Sequence, residues 1–204
     1  MAQGCSQLRF PVVTTATPDR AMIDEFLSIH DFSATYEVHI DAPASVVYQR
    51  LLRSDFNDLW LVRLLMTIRT GKLHPQNRVP RDLHERLQGT GFVILDEVRE
   101  QELVIGVAGR FWRPDGGRCL DLNASDFVGF SRPGCAKAAW NFKLTAQSPQ
   151  STVLSTETRI KCFGSSAFWK FRLYWTVIRP FSGLIRKAIL KQVKSATESG
   201  FKAT

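Results

Sequence analysis

A chain of 204 residues, of which 44% are hydrophobic and 23% charged, has the length and composition of one globular domain with a sizeable core. Its net charge of +8 belongs entirely to residues 161–204, which hold nine Lys or Arg and one acid, while residues 1–160 are neutral overall. No apolar run reaches the ~18 residues of a membrane span. The N-terminus also lacks an apolar signal core, and no cysteines are paired as CxxC. We therefore expect a cytoplasmic protein with free thiols.

The sequence predicts an N-terminal extension over residues 1–33 and the principal domain over residues 34–204. Residues 1–18 lack periodicity, but four apolar side chains that follow have near-helical spacing and predict a short helix: Met22, Ile23, Phe26 and Leu27. Strict alternation then places Tyr36, Val38 and Ile40 on one face of a half-buried strand.

Two helices are predicted after this first strand. Asp41 can cap a helix whose first turn contains Pro43, where the missing N–H has no consequence. A second helix is expected from about Leu59 to Thr70, with Gly71 as its stop.

From Gly91 onward the sequence predicts strands joined by short turns. The expected strands are 91–97, 102–109, 118–122, 126–130, 136–146 and 152–162. Short connections imply antiparallel neighbours, so we expect an antiparallel sheet of six or seven strands. A long helix follows from Ser165 to Ser199, interrupted or bent near Pro180, and its stripe of Ile185, Ile189 and Val193 should face the sheet.

The hairpin of strands 91–97 and 102–109 is apolar on both faces. Phe92–Leu95 and Leu103–Ile105 do not alternate as strands with one wet face do. We expect the N-terminal helix to cover the outer face of this hairpin. The alternative is a second subunit in a homodimer.

The order of these elements, together with the segment VHIDAPASVVYQRL between Val38 and Leu51, resembles the SRPBCC (START-like, birch-pollen-allergen-like) superfamily. The segments GRFWRP and AAWNF also look like those of uncharacterised bacterial members. The resemblance covers roughly residues 34–199. It implies an α+β helix-grip fold with a cavity between the sheet and the C-terminal helix, used for lipids, polyketides, hormones or aromatic compounds. Members include carriers, sensors, cyclases and hydratases, so the resemblance transfers no single function.

A small apolar or amphipathic molecule is the expected ligand, in a cavity of roughly 300 Å³ or more. Alternation turns Trp140 and Phe142 towards the helix, as core or as cavity wall. Arg110, beside Trp112, can bind a carboxylate, or it is a strand-end arginine that reaches water. Two aromatic residues at the front of the last helix complete the candidate set: Tyr174 and Trp175.

No motif identifies a reaction. The four histidines form no metal clamp and no nucleophile signature occurs, so we expect neither a metal nor an organic cofactor and favour a binding protein over an enzyme. One alternative is a cyclase- or aromatase-like enzyme that uses Arg110 with Tyr174. Another is a lipid-shuttling or membrane-surface protein, whose weak contact with anionic membranes would use Arg186, Lys187, Lys191 and Lys194. Nucleic acid is not an expected partner, because the basic helix lacks the interleaved exposed aromatic residues that stacking requires.

Overall fold

The computed structural model describes residues 21–54, 83–87, 91–113, 117 and 122–201. Five helices and five strands occur in these ranges. They are α1 (Ile23–Leu27), β1 (Phe32–Ile40), α2 (Ala44–Arg53), α3 (Leu83–Leu87), β2 (Val93–Val98), β3 (Glu102–Gly109), α4 (Ala124–Gly129), β4 (Ala136–Ser148), β5 (Ser151–Cys162) and α5 (Ser165–Phe201).

The five described strands form one curved antiparallel sheet in the order β1-β5-β4-β3-β2, and α5 packs across its inner face. This is the helix-grip arrangement, and it confirms the predicted fold class. The predicted helix 59–70 lies outside the described residues, as does the predicted strand 118–122 apart from Leu122.

The strand predicted over residues 126–130 is wrong, because the chain forms the short helix α4 there. Asn123 precedes this helix, and its side-chain oxygen accepts a hydrogen bond from the Asp126 amide at 2.8 Å. Lys137 holds the other end, since its Nζ donates to the carbonyls of Phe127 at 3.1 Å and Val128 at 3.0 Å. Both ends of the helix are thus satisfied by polar side chains, which favours helix over strand.

Helix α5 is 37 residues long and continues through Pro180. Ile189 and Val193 are buried against the sheet and α2, and Ile185 packs beside them, as the predicted stripe requires. None of the described helices is both long enough and apolar enough to cross a membrane.

On the outer side of the sheet, helix α1 lies over β4 and β5, and helix α4 lies over the β2–β3 hairpin. Ile23 and Leu27 of α1 are nevertheless buried in one cluster with Leu95 and Val104 of the hairpin, so the sequence-based prediction is confirmed in part. Phe127 from α4 joins the same cluster, a contribution that the sequence did not predict. The apolar outer side of the hairpin is therefore covered by two short helices of the same chain.

A buried carboxylate attaches α1 to the sheet. Glu102 accepts hydrogen bonds from the Met22 amide at 2.9 Å and from Asn141 Nδ2 at 2.6 Å. On β5, two strands from Glu102 in the sheet, the Arg159 guanidinium contacts Asp24 at 2.5 Å and the Leu27 carbonyl at 3.2 Å. These charge-assisted bonds satisfy the start and the end of α1.

Candidate ligand-binding site between the sheet and helix α5

Two apolar clusters lie between the inner face of the sheet and α5, one towards each end of the helix. The first surrounds Phe171, which stacks on Trp175 with ring centroids 5.8 Å apart and also contacts Phe32 at 5.0 Å. The second cluster contains Phe142 and Ile189. We call these the Phe171 cluster and the Phe142 cluster.

Polar side chains occupy the inner face where the two clusters meet. Along β5 the alternation that buries Leu154 and Ile160 also turns Thr156 and Thr158 towards α5. Thr156 receives a hydrogen bond from Trp140 Nε1 at 2.6 Å and donates to the Asn141 carbonyl at 2.7 Å. The hydroxyl oxygen of Thr158 is buried and has no hydrogen-bond partner among the described residues.

Arg186 reaches this polar zone from α5. Its guanidinium carbon lies 5.0 Å from the centre of the Trp140 ring, a cation–π contact. The Nε and Nη1 atoms are shut off from solvent and have no hydrogen-bond partner within the described part of the chain. Burial lowers the pKa of Arg186 to about 10, an effect that the nearby Tyr36 partly opposes. The side chain therefore remains a cation at neutral pH, with unused donors.

Tyr36 lies on the neighbouring strand β1, opposite Thr156. Helix α5 passes it closely at Gly183, where a Cβ atom would lie only 2.5 Å from the Tyr36 hydroxyl. Glycine at this position thus leaves room for the hydroxyl one helical turn before Arg186. We define the inner site as Tyr36, Trp140, Thr156, Thr158 and Arg186.

Of the six ligand-binding residues predicted from sequence, Trp140 lies in the inner site. Phe142 is fully buried beside it, with ring centroids 4.9 Å apart, and belongs to the packed core. Three further aromatic residues of the predicted set belong to the Phe171 cluster: Trp112, Tyr174 and Trp175.

The sixth residue, Arg110, lies half-buried at the end of β3. Its amide donates to the Gly117 carbonyl at 2.7 Å, which closes the turn that follows the strand. The predicted residues are therefore distributed over three places along the inner face rather than gathered in one site.

The predicted membrane-surface patch is corrected at Arg186. Lys187 and Lys191 are exposed, and Lys194 donates to the His39 carbonyl at 2.6 Å and pairs with Glu198 at 3.1 Å. Arg186 points the opposite way, because helical spacing places it on the side that Leu190 and Val193 bury. The four cations thus do not form one exposed surface.

This helical spacing was the signal that sequence analysis missed. Positions 186, 190, 193 and 197 recur every three or four residues, and Leu190, Val193 and Thr197 are all buried. Tyr36 was placed correctly on the inner face of its strand, but without a functional assignment.

The described residues contain no metal site, and they place no second ligand-binding candidate of the inner site beside Arg110. Among the described residues, no group of three or more His, Cys, Asp or Glu side chains is placed to hold a metal ion. Cys162 is a free thiol, and burial raises its pKa to about 12, assisted by the Asp31 carboxylate.

Fold and inner site together define an α+β helix-grip protein with a buried cation between sheet and helix. No family model and no curated protein matches the chain. A conserved protein of Geobacillus kaustophilus is similar in structure at 11% identity and a TM-score of 0.40, covering 82% of this chain and 96% of that one. For a hypothetical protein of Helicobacter pylori the values are 10%, 0.40, 97% and 99%. The Zhui aromatase/cyclase of Streptomyces sp. R1128 follows at 12% and 0.29, covering 82% and 93%.

Proposed function

We propose that the protein binds a small amphipathic molecule between the sheet and α5, with the acidic head of the ligand at Arg186. The observation that carries this proposal is the buried guanidinium whose Nε and Nη1 have no partner among the described residues. A buried charge without hydrogen bonds costs several kcal/mol, so a fold retains one at a cost to its own stability. A carboxylate or a similar anion would accept a hydrogen bond from one of these donors and would neutralise the charge. A single carboxylate does not bridge Nε and Nη1, because the Nε–H is directed to the Nη2 side of the guanidinium.

The surroundings of Arg186 suit the remainder of such a ligand. Thr158 adds a buried hydroxyl without a partner, and Tyr36 brings a second hydroxyl from β1. The Trp140 ring supplies an apolar wall under the guanidinium. An apolar body would lie against the Phe171 or the Phe142 cluster, and a cavity of roughly 300 Å³ or more there stays a prediction.

We propose that the protein is a ligand-binding protein rather than an enzyme of the cyclase or aromatase kind. General acid–base catalysis needs a positioned group that titrates near the working pH. The inner site consists of Arg, Tyr, Trp and Thr side chains, and Arg186 remains protonated with a pKa of about 10. Such a set can orient and hold an anion, but it offers no ready proton acceptor at neutral pH.

The test uses decanoate and decanol as matched probes, which differ in the charge of the head group. Decanoate should raise the melting temperature of the wild-type protein more than decanol does, because only the carboxylate can pair with Arg186. Arg186→Met should abolish the difference between the probes. Lys191→Met, which removes an exposed cation from the same helix, should leave it intact. Equal shifts by both probes in the wild-type protein would refute an anion site.

A further inference from the structure

The outer face of α5 exposes an apolar stripe in its first half. Five large side chains recur there with helical spacing: Trp169 is 61% exposed, Leu173 74%, Val177 59%, Phe181 42% and Leu184 53%. We call these residues the outer stripe. It extends over about 22 Å of helix at 1.5 Å per residue. A contiguous exposed apolar surface of this kind marks an interaction site more often than scattered apolar residues do.

Cations lie within the outer stripe and along one side of it, and acids are absent from this part of the helix. Lys170 lies within it, Arg172 and Arg179 lie beside it, and the Arg172 guanidinium lies 4.9 Å from the centre of the Trp169 ring. Farther along, the exposed Lys187 and Lys191 continue the same face. Residues 165–197 contain no Asp or Glu. The charged side chains that the helix itself places within and beside this apolar surface are therefore all positive.

We propose that the outer stripe docks α5 on the surface of an anionic lipid bilayer. A helix that lies in the interface places Trp, Phe and Leu among the upper acyl chains, and its Lys and Arg side chains reach the headgroups. The stripe and its cations follow this pattern. The docking surface is separate from the inner site, since it stands on the opposite face of the helix.

Charge favours a bilayer over a second copy of the chain as the occupant. A two-fold pairing of outer stripes would bring the cations of two α5 helices together, with no acid in residues 165–197 to oppose them. Like charges at close range destabilise such a contact. Anionic headgroups neutralise the same cations and attract them from a distance.

Vesicle flotation tests the apolar part of this proposal. The full-length wild-type protein should float with vesicles of phosphatidylcholine and phosphatidylglycerol. The double variant Leu173→Ser/Phe181→Ser should lose at least about tenfold in partition, because two apolar side chains no longer enter the bilayer. Ile29→Ser is the matched control, since Ile29 is 75% exposed and belongs to the connection between α1 and β1 rather than to α5. It should float as the wild type does.

A second pair of variants tests the cations. Arg172→Gln/Arg179→Gln should reduce partition into the anionic vesicles about tenfold and leave partition into pure phosphatidylcholine unchanged. Arg99→Gln removes an exposed cation on the β2–β3 turn and should have no effect. Equal wild-type partition into neutral and anionic vesicles would overturn the anionic surface as the partner.

Two further measurements test the docking of α5 on the bilayer if a double variant does not fold. Brominated lipid should quench part of the wild-type tryptophan fluorescence, and that part should disappear in Trp169→Phe. Sedimentation velocity without lipid should show a monomer. A wild-type protein that does not float, or that escapes quenching at Trp169, would refute the proposal. A dimer abolished by Leu173→Ser/Phe181→Ser would instead assign the stripe to a second copy.

Discussion

Arg186 is expected to lower the stability of the folded protein and, at the same time, to be required for the proposed ligand binding. Its buried Nε and Nη1 have no partner among the described residues, and its guanidinium touches the Trp140 ring. Replacing a buried charge with an apolar side chain of similar length is often neutral or stabilises a protein by about 1–4 kcal/mol. We therefore expect Arg186→Met to unfold at higher denaturant than the wild type, while it loses its preference for decanoate. A purely structural arginine would give the opposite result, a loss of stability on substitution.

The same substitution should have a characteristic pH dependence. The pKa of Arg186 is lowered to about 10 in the folded protein, well below its ordinary value, so above about pH 10 the unfolded chain binds the additional proton. The wild type therefore regains stability as the pH rises through about 10, since its buried side chain becomes neutral. We expect the difference in unfolding free energy between Arg186→Met and the wild type to narrow over this range. Chemical denaturation from pH 8 to 11 would measure it, and a constant difference would contradict a buried cation.

Gly183 is a second position on which the inner site depends, because the absence of a side chain there leaves room for Tyr36. A Cβ atom at 183 would lie 2.5 Å from the Tyr36 hydroxyl, which is closer than Cβ atoms approach other heavy atoms in proteins. Gly183→Ala must therefore displace Tyr36 or α5, although alanine alone would favour the helix by about 1 kcal/mol. We expect lower stability together with weaker decanoate binding. Gly129→Ala is the control, because a Cβ there meets nothing within 4 Å.

At the scale of elements, α1 depends on Glu102. The carboxylate is 4% exposed and accepts from the Met22 amide and Asn141 Nδ2. Glu102→Ala leaves these buried donors unsatisfied, so we expect a loss of about 2–3 kcal/mol in unfolding free energy. Glu37→Ala, on the exposed face of β1, should change it by less than about 0.5 kcal/mol. A loss at Glu102 no larger than at Glu37 would show that this carboxylate does not fix α1.

Sequence patterns predicted the elements well where one rule acted alone. Alternation placed Tyr36 and Trp140 on the inner face, and the two apolar faces of the β2–β3 hairpin required a cover, which α4 provides together with side chains of α1. The pattern failed for α4, because a short apolar run at residues 126–130 is ambiguous between strand and helix. Capping by Asn123 and Lys137 decided in favour of the helix, and the Lys137 contribution joins residues from different elements.

Only part of the inner site could be predicted from the sequence, because contacts between residues distant in sequence decide the rest. Its aromatic wall follows from strand alternation, but its cation was assigned to the solvent because charged residues of a basic helix are usually exposed. Arg186 lies only one position from Ile185, which packs against the buried stripe, and the width of the buried face decides on which side it falls. That width is set by contacts with Trp140 and Tyr36, which are distant in sequence.

For the whole molecule, the N-terminal segment is expected to be part of the folded unit. Helix α1 joins the Leu95–Val104 cluster, and Arg159 binds both Asp24 and the Leu27 carbonyl. Deleting residues 1–30 should lower the melting temperature or cause aggregation, because the outer face of the hairpin becomes exposed to water. Thermal unfolding and light scattering of the truncated protein would measure both. A soluble, monomeric and equally stable product would contradict this role of α1.

The central claim, that Arg186 receives an anion inside the helix-grip fold, is tested most directly by the ¹⁵Nε–¹Hε NMR signal of this side chain. The signal can be assigned by its absence in Arg186→Met. We expect it to shift downfield and to exchange more slowly with water when decanoate is added, since a carboxylate then accepts a hydrogen bond from Nε. Decanol should leave it almost unchanged. If decanoate stabilises the protein while the Arg186 signal does not move, the ligand binds elsewhere and the account is wrong.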